Sequence, residues 1–548
     1  MSARLAAAAL AALAAACASV EPPPPQSAQV YADFLIGRIA NARDDYGAAS
    51  DRYFAALARS PGDEALVQGA LQATLAAGDL DRARRAASMI SAEEAPALAR
   101  LVRAADALRS SNWRRADAAL TEFEGTAVEE MLARTLNVWL RVGQGRTDEA
   151  VSELAPLTSF RPYGGLFLYQ QAMAQDVAGR REAALSAYQS AAAGEMFLPP
   201  AIERHAEALA RAGQNEDALH MLARLNGGRG NAALAALSAR LSAGQAPGAA
   251  PLTPARAGAI GLYGFAAILL QQEYNADAGL VTLSLALMLD PDLDAARLMF
   301  AEAHGDAGRA SVARETLGRI RGDSVYAQSA RLMDARLLLN AGQVDEALGA
   351  ARASAAGGDA RAQRALADMY SSLDRYSEAE PIYSALLGED AQNWRLYFAR
   401  GAARERMGDW PAAEVDLRQA LELAPNQPQV LNYLGYTWVD RGENLDEGLA
   451  MIRRAMELEP NSAAITDSLG WAFFRLGDYR QAVMFLERAV ELDPASAVLN
   501  DHLGDAYWRS DRRTEARFQW RRALTQDPDD PAALEAKIAN GLAEPAAQ

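Results

Sequence analysis

Residues 458–494 read LEPNSAAITDSLGWAFFRLGDYRQAVMFLERAVELDP, and residues 495–528 read ASAVLNDHLGDAYWRSDRRTEARFQWRRALTQDP. Laid one under the other, Leu469-Gly470 falls on Leu503-Gly504, Phe473 on Tyr507, Ala482 on Ala516, Leu486 on Trp520, Ala489 on Ala523 and Pro494 on Pro528. Each offset is 34 residues, a period that signals stacked repeats. Each unit reads as two amphipathic helices joined by a short turn, Leu476-Gly477-Asp478 in one and Ser510-Asp511-Arg512 in the next. The glycines and alanines mark close helix approach, whereas Phe473, Tyr507, Leu486 and Trp520 supply bulk. Pro494 and Pro528 lack an amide proton and end the second helix of each pair.

Small, aromatic and proline positions in this order over 34 residues resemble the tetratricopeptide repeat family. The resemblance implies an all-α fold, a right-handed superhelical TPR solenoid of about fourteen helix-turn-helix repeats in two halves. It also implies a groove, lined by the first helix of each pair, that binds peptides or proteins.

The same phase can be followed outward. Gly37, Tyr46, Ala49, Tyr53, Ala56 and Pro61 occupy the places of Gly470, Tyr479, Ala482, Leu486, Ala489 and Pro494. Degenerate units carry Gly78 with Ala83, Trp113 with Ala116, Gly145 with Ala150, Gly179 with Ala184 and Gly213 with Ala218. The reading is an amino-terminal array over 30–232, a Gly/Pro/Ala-rich hinge over 233–259 and a second array over 260–530. Residues 531–548 are expected to form a capping helix and tail, because a terminal repeat needs its apolar face covered.

At the amino terminus, residues 1–16 carry Arg4 and an apolar run from Leu5, the pattern of a signal peptide. Cys17, the sole cysteine, ends a junction that resembles a bacterial lipobox, although its favoured leucine sits one place early. That resemblance implies lipidation of Cys17 and a proline-rich tether over 17–29. Plain secretion or a buried cytosolic helix are the other readings of this run. Ala18 after the cysteine, by resemblance, favours an outer-membrane lipoprotein facing the periplasm.

Composition narrows the function classes. A net charge of −17, from 54 basic and 71 acidic residues, argues against nucleic acid as a partner. Four scattered histidines and no HExxH, GxSxG or nucleotide-loop pattern point to no enzyme, no cofactor and no metal. Aligning NYLGYTWV, DSLGWAFF and DHLGDAYW places Asn432, Asp467 and Asp501 at one position of successive first helices. Tyr436, Trp471 and Asp505 share a second position, and Val439, Phe474 and Trp508 a third. The expected site is a groove of polar acceptors (Asn432, Asp467, Asp501, Asp505) between aromatic plates (Tyr436, Trp471, Phe474, Trp508). The lysine and asparagine set with which some relatives clamp a terminal carboxylate is missing. The segment around 431–479 resembles bacterial repeat lipoproteins that act as adaptors of periplasmic carboxyl-terminal-processing proteases. The expected function is a non-catalytic lipoprotein scaffold for protein partners, a periplasmic protease and its substrates among them. A structural subunit of an envelope export or outer-membrane assembly machine is the second reading.

Overall fold

The residue that turns one helix back on the next decides this architecture. In a computed structural model describing residues 28–160, 163–193, 196–226, 230–246, 251–272 and 276–543, a left-handed backbone recurs at that turn. It is found at Asp44, Gly78, Ser111, Gly145, Gly179 and Gly213, then at Gly308, Gly342, Asp374, Gly408, Gly442, Gly477 and Asp511, spaced 32 to 35 residues apart within each run. Asp45, Asp79, Asp409 and Asp478, just after the turn, each accept an amide hydrogen bond and start the second helix. A Cβ on Gly477, at φ 78°, would meet nothing within 4 Å. Gly477→Ala is therefore expected to cost only the backbone term, about 1–2 kcal/mol by urea denaturation.

Among the described residues every regular element is a helix. The helices are α1 Ala28–Asn41, α2 Tyr46–Leu57, α3 Glu64–Ala76, α4 Leu80–Ser88, α5 Ala97–Arg109, α6 Trp113–Leu120, α7 Ala127–Gly143, α8 Thr147–Leu154, α9 Gly164–Val177 and α10 Arg181–Ala192. Then come α11 Pro199–Arg211, α12 Asn215–Asn226, α13 Ala232–Ser242, α14 Pro254–Leu270, α15 Ala276–Leu289, α16 Asp294–Asp306, α17 Ala310–Gly318, α18 Ala327–Asn340 and α19 Val344–Ala355. The last are α20 Ala360–Ser372, α21 Tyr376–Glu389, α22 Trp394–Arg406, α23 Trp410–Leu423, α24 Pro428–Arg441, α25 Leu445–Leu458, α26 Ala463–Arg475, α27 Tyr479–Leu492, α28 Ala497–Arg509, α29 Arg513–Leu524 and α30 Pro531–Asn540. They fall into fourteen consecutive pairs, with α13 and α30 left over. The fold is an all-α stack of helical hairpins.

The chain divides into two compact units, the first ending at Ala350 and the second starting at Ala351, inside α19. This differs from the expected arrays 30–232 and 260–530 with a hinge at 233–259. Residues 232–242 form α13, α14 begins at Pro254, and one apolar core runs from Val30 to Leu337 through Leu234, Leu237, Leu241 and Ala257. Continuous burial joins what glycine and proline content alone would separate. Residues 1–27, which hold the expected signal peptide, Cys17 and most of the tether, lie outside the described residues.

The first unit fills its own inner wall. Helix α14 packs on α7 and α9, and α15 packs on α3 and α5, all first helices of their pairs. Gly258, Gly261 and Gly264 form the side of α14 that meets Trp139, Gln170 and Leu166. A Cβ at Gly258 would lie 3.1 Å from Trp139 Cδ1, and one at Gly261 would lie 3.0 Å from Gln170 Oε1. In α15, eleven consecutive residues from Gly279 to Leu289 are buried, so no face of that stretch meets water. Carbonyls at the end of α3, where the helical ladder stops, are bonded here by other pairs, Leu75 O in addition to its bond from Gly78 N. Ser284 Oγ donates to Leu75 O, and His304 Nε2 lies 2.9 Å from Ala76 O. Arg309 Nε donates to His304 Nδ1 at 2.9 Å, so the ring is neutral with its proton on Nε2. Burial, then Arg309, drives the pKa of His304 down to about 4.

In the second unit the hairpins close through side chains chosen at fixed positions. Gly470 makes room for Leu486, whose Cγ would lie 2.6 Å from an added Cβ, and Gly504 makes room for the indole of Trp520. At Gly435 and Gly448 two backbones of this unit come close: a Cβ on Gly435 would meet Gly448 O at 2.7 Å. Ala482, Ala489, Ala516 and Ala523 are completely buried. Helix α30 packs on α29 and inserts Leu534 into the same core.

Candidate functional site

The polar residues expected to face a guest are bonded between repeats. His502 Nδ1 lies 2.9 and 3.0 Å from the two carboxylate oxygens of Asp467. Burial alone would lower the His502 pKa, but Asp467 outweighs it and holds the ring above its ordinary value. Lys537, the chain's single lysine, reaches from α30 to Asp501 Oδ1 at 2.7 Å and Asp505 Oδ2 at 2.9 Å. Trp520 Nε1 donates to the other oxygen of Asp505 at 2.9 Å. Asp467, Asp501 and Asp505 each already accept from another helix; Asp467 and Asp505 are buried, and Asp501 is partly exposed. Asn432 Oδ1 is buried and finds no partner.

The expected aromatic plates are divided as well. Trp471 stacks on Phe474 at 4.7 Å and on His502 at 4.2 Å, and its Nε1 donates to Asp440 at 3.2 Å. Trp508 packs beside Trp520, with Arg513 and Arg517 over its ring and Gly541 against its edge. Both rings are half-buried, Trp471 packed between repeats and Trp508 mainly within its own hairpin. Tyr436 is half-buried, and its phenol is pushed up to about 12 by burial, then by Asp440 and Asp467.

An open groove lies two repeats earlier and shares α24 with the expected site. It runs across α20, α22 and α24, the first helices of successive pairs, and encloses about 670 Å³. Trp394, Phe398 and Tyr433 supply its apolar wall, with the Phe398 and Tyr433 rings edge-to-face at 5.5 Å. Arg364, Arg395 and Arg406 line it against the single lining carboxylate Asp368. Arg395 lies over the Trp394 ring at 4.6 Å and is exposed, and Arg406 Nε donates to Tyr376 Oη at 3.2 Å. In a chain of net charge −17 this is a locally cationic, aromatic surface.

The floor of the groove is fixed by a buried charge network. Asp416, 2% exposed, accepts from Arg400 at 2.7 and 2.8 Å and from Arg404 at 2.8 Å. Arg404 also reaches Glu380 at 2.7 Å, so α21, α22 and α23 are clamped together. This sets the direction of α22, from which Trp394, Arg395 and Phe398 project. Among the described residues no group of three His, Cys, Asp or Glu side chains could hold a metal, and no helix is long and apolar enough to cross a membrane.

The expected site residues come from the last three first helices, whereas the groove's signal sits in WRLYFAR, residues 394–400, where Trp394 and Phe398 share a helix face with an arginine between them.

A sequence profile of the tetratricopeptide repeat matches residues 473–539. That segment is similar to a tetratricopeptide repeat. The profile spans α27 to α30 with the end of α26, where the 34-residue period is clearest. Comparison with curated proteins finds no match. Among solved structures, a tetratricopeptide repeat protein from Parabacteroides merdae is 16% identical, covers 44% of this chain and 96% of its own, and gives a TM-score of 0.38. A chain of the APC/C hetero-tetramer Cut9–Hcn1 is 14% identical over 94% of this chain and 97% of its own, with a TM-score of 0.41. YrrB, described as a tetratricopeptide protein with an unusual peptide-binding site, is 23% identical over 33% of this chain and 92% of its own, with a TM-score of 0.27.

Proposed function

We propose that this chain is a non-catalytic scaffold that holds a protein segment in the groove of α20, α22 and α24. One observation carries the reading: this groove is open and offers aromatic and arginine side chains, whereas the first unit's inner wall is occupied by α14 and α15. Aromatic and arginine residues are the types that concentrate binding energy at protein interfaces. The amino-terminal sequence supports a lipid anchor at Cys17 and a periplasm-facing body on the outer membrane. The setting that fits anchor and groove together is an adaptor holding a periplasmic protease near its substrates, raising their effective concentration. A structural role in an envelope export or assembly machine is the second reading, favoured by constitutive co-purification with a membrane barrel.

A photo-crosslinker at Gln429, an exposed groove position, tests the site. It is expected to trap a discrete partner, and the double variant Trp394→Ala, Phe398→Ala is expected to weaken that capture by at least about tenfold. The melting temperature should change little, because both side chains are only half-buried. Undiminished capture by the double variant would move the binding site elsewhere.

A further inference from the structure

Four of the twelve large apolar side chains exposed among the described residues lie in one helix, α1: Tyr31 at 40%, Leu35 at 37%, Ile36 at 44% and Ile39 at 54%. At 100° per residue they fall within an arc of about 140° on the side of α1 facing away from α2. The opposite side is the packed one, with Val30, Phe34 and Gly37 buried. Its one acid, Asp33, is buried there too and paired with Arg52 at 3.4 Å and Arg59 at 3.1 Å. Arg38 is the exposed charge of α1 itself; the turn after it exposes Arg43, Asp44 and Asp45, of which Asp44 pairs with Arg309 at 3.2 Å and Asp45 caps α2. The outward face of the first helix is thus apolar with one cation, Arg38, and with Arg43 just beyond its end.

We infer that this face of α1 lies on an anionic lipid surface. Apolar side chains with arginines alongside and a tyrosine near one end are what a helix needs to sit at the boundary between headgroups and acyl chains. Reach supports the bilayer. Ten residues lie between Cys17 and Ala28, and the eleven steps of at most about 3.6 Å each span about 40 Å. This part of the inference rests on the lipid anchor proposed above: a chain acylated at Cys17 keeps α1 close enough for the contact to form intramolecularly.

The test uses the full chain carrying Cys17→Ser, so that no acyl group contributes, floated with vesicles of phosphatidylglycerol and phosphatidylcholine. The chain is expected to float with the anionic vesicles and to be released by salt. Leu35→Glu with Ile39→Glu should lower the bound fraction at least tenfold at an unchanged melting temperature. Equal flotation of both chains would assign the contact to another segment and overturn the inference. Absence of flotation would also overturn it, as would a concentration-dependent dimer that the double substitution abolishes. Incorporation of labelled palmitate at Cys17 tests the anchor separately. A chain that floats through α1 but takes up no palmitate would keep the inference and remove the anchor.

Discussion

Leu283→Glu is expected to unfold the unit that ends at Ala350. Leu283 is completely buried in α15, within a run of eleven buried residues that leaves no side open to solvent. An ionised carboxylate there has no cation to meet, and burying an unpaired charge costs several kcal/mol. That is comparable with the whole stability of a typical domain, about 5–15 kcal/mol. Leu283→Ala, which removes only apolar volume, should cost about 2–5 kcal/mol. The graded pair separates charge from cavity, and hydrogen exchange over 254–289 reads the result. Near-native protection of the rest of the unit, with only 254–289 exposed, would show that α14 and α15 form a detachable plug. The first unit would then offer a groove as well.

Asp416→Ala is expected to cost the second unit about 3–5 kcal/mol, because it strands Arg400 and Arg404 without their shared buried partner. Asp416→Asn keeps the shape and part of the hydrogen bonding but not the charge, and should fall between the two. Urea unfolding measures both. The alanine variant should also lose groove binding through misplacement of α22, although Asp416 does not line the groove. A cost below about 1 kcal/mol would show the network to be replaceable by water, and the groove floor would need another support.

The hairpin repeat was legible because its requirements are local. A turn needs a left-handed residue, a second helix needs a cap, and a close approach needs glycine or alanine. Each of these leaves a mark at a 34-residue interval, as at Gly477 and Asp511 or at Gly470 and Gly504. The chemistry of the site expected on α24, α26 and α28 was not legible in the same way. Asp467, Asp501 and Asp505 look like open acceptors when their own helices are aligned. The donors that occupy them, His502, Lys537 and Trp520, come from other helices.

The expected hinge at 233–259 shows the same limit. Gly244 follows the end of α13 and Pro254 opens α14, and that much the residues dictate. Whether the chain beyond becomes a separate body depends on where its apolar surface is buried. The run GAIGLYG, residues 258–264, carried a hint in its glycine spacing, but only the position of Trp139 and Gln170 gives those glycines a neighbour.

By itself the sequence determined that this chain is built of helical hairpins and where each one turns, since backbone conformation and capping act over a few residues. Only the tertiary structure decided which inner surfaces stay open. A side chain is consumed or left free by a partner tens to hundreds of residues away, as Leu75 meets Ser284, and no local pattern records that meeting.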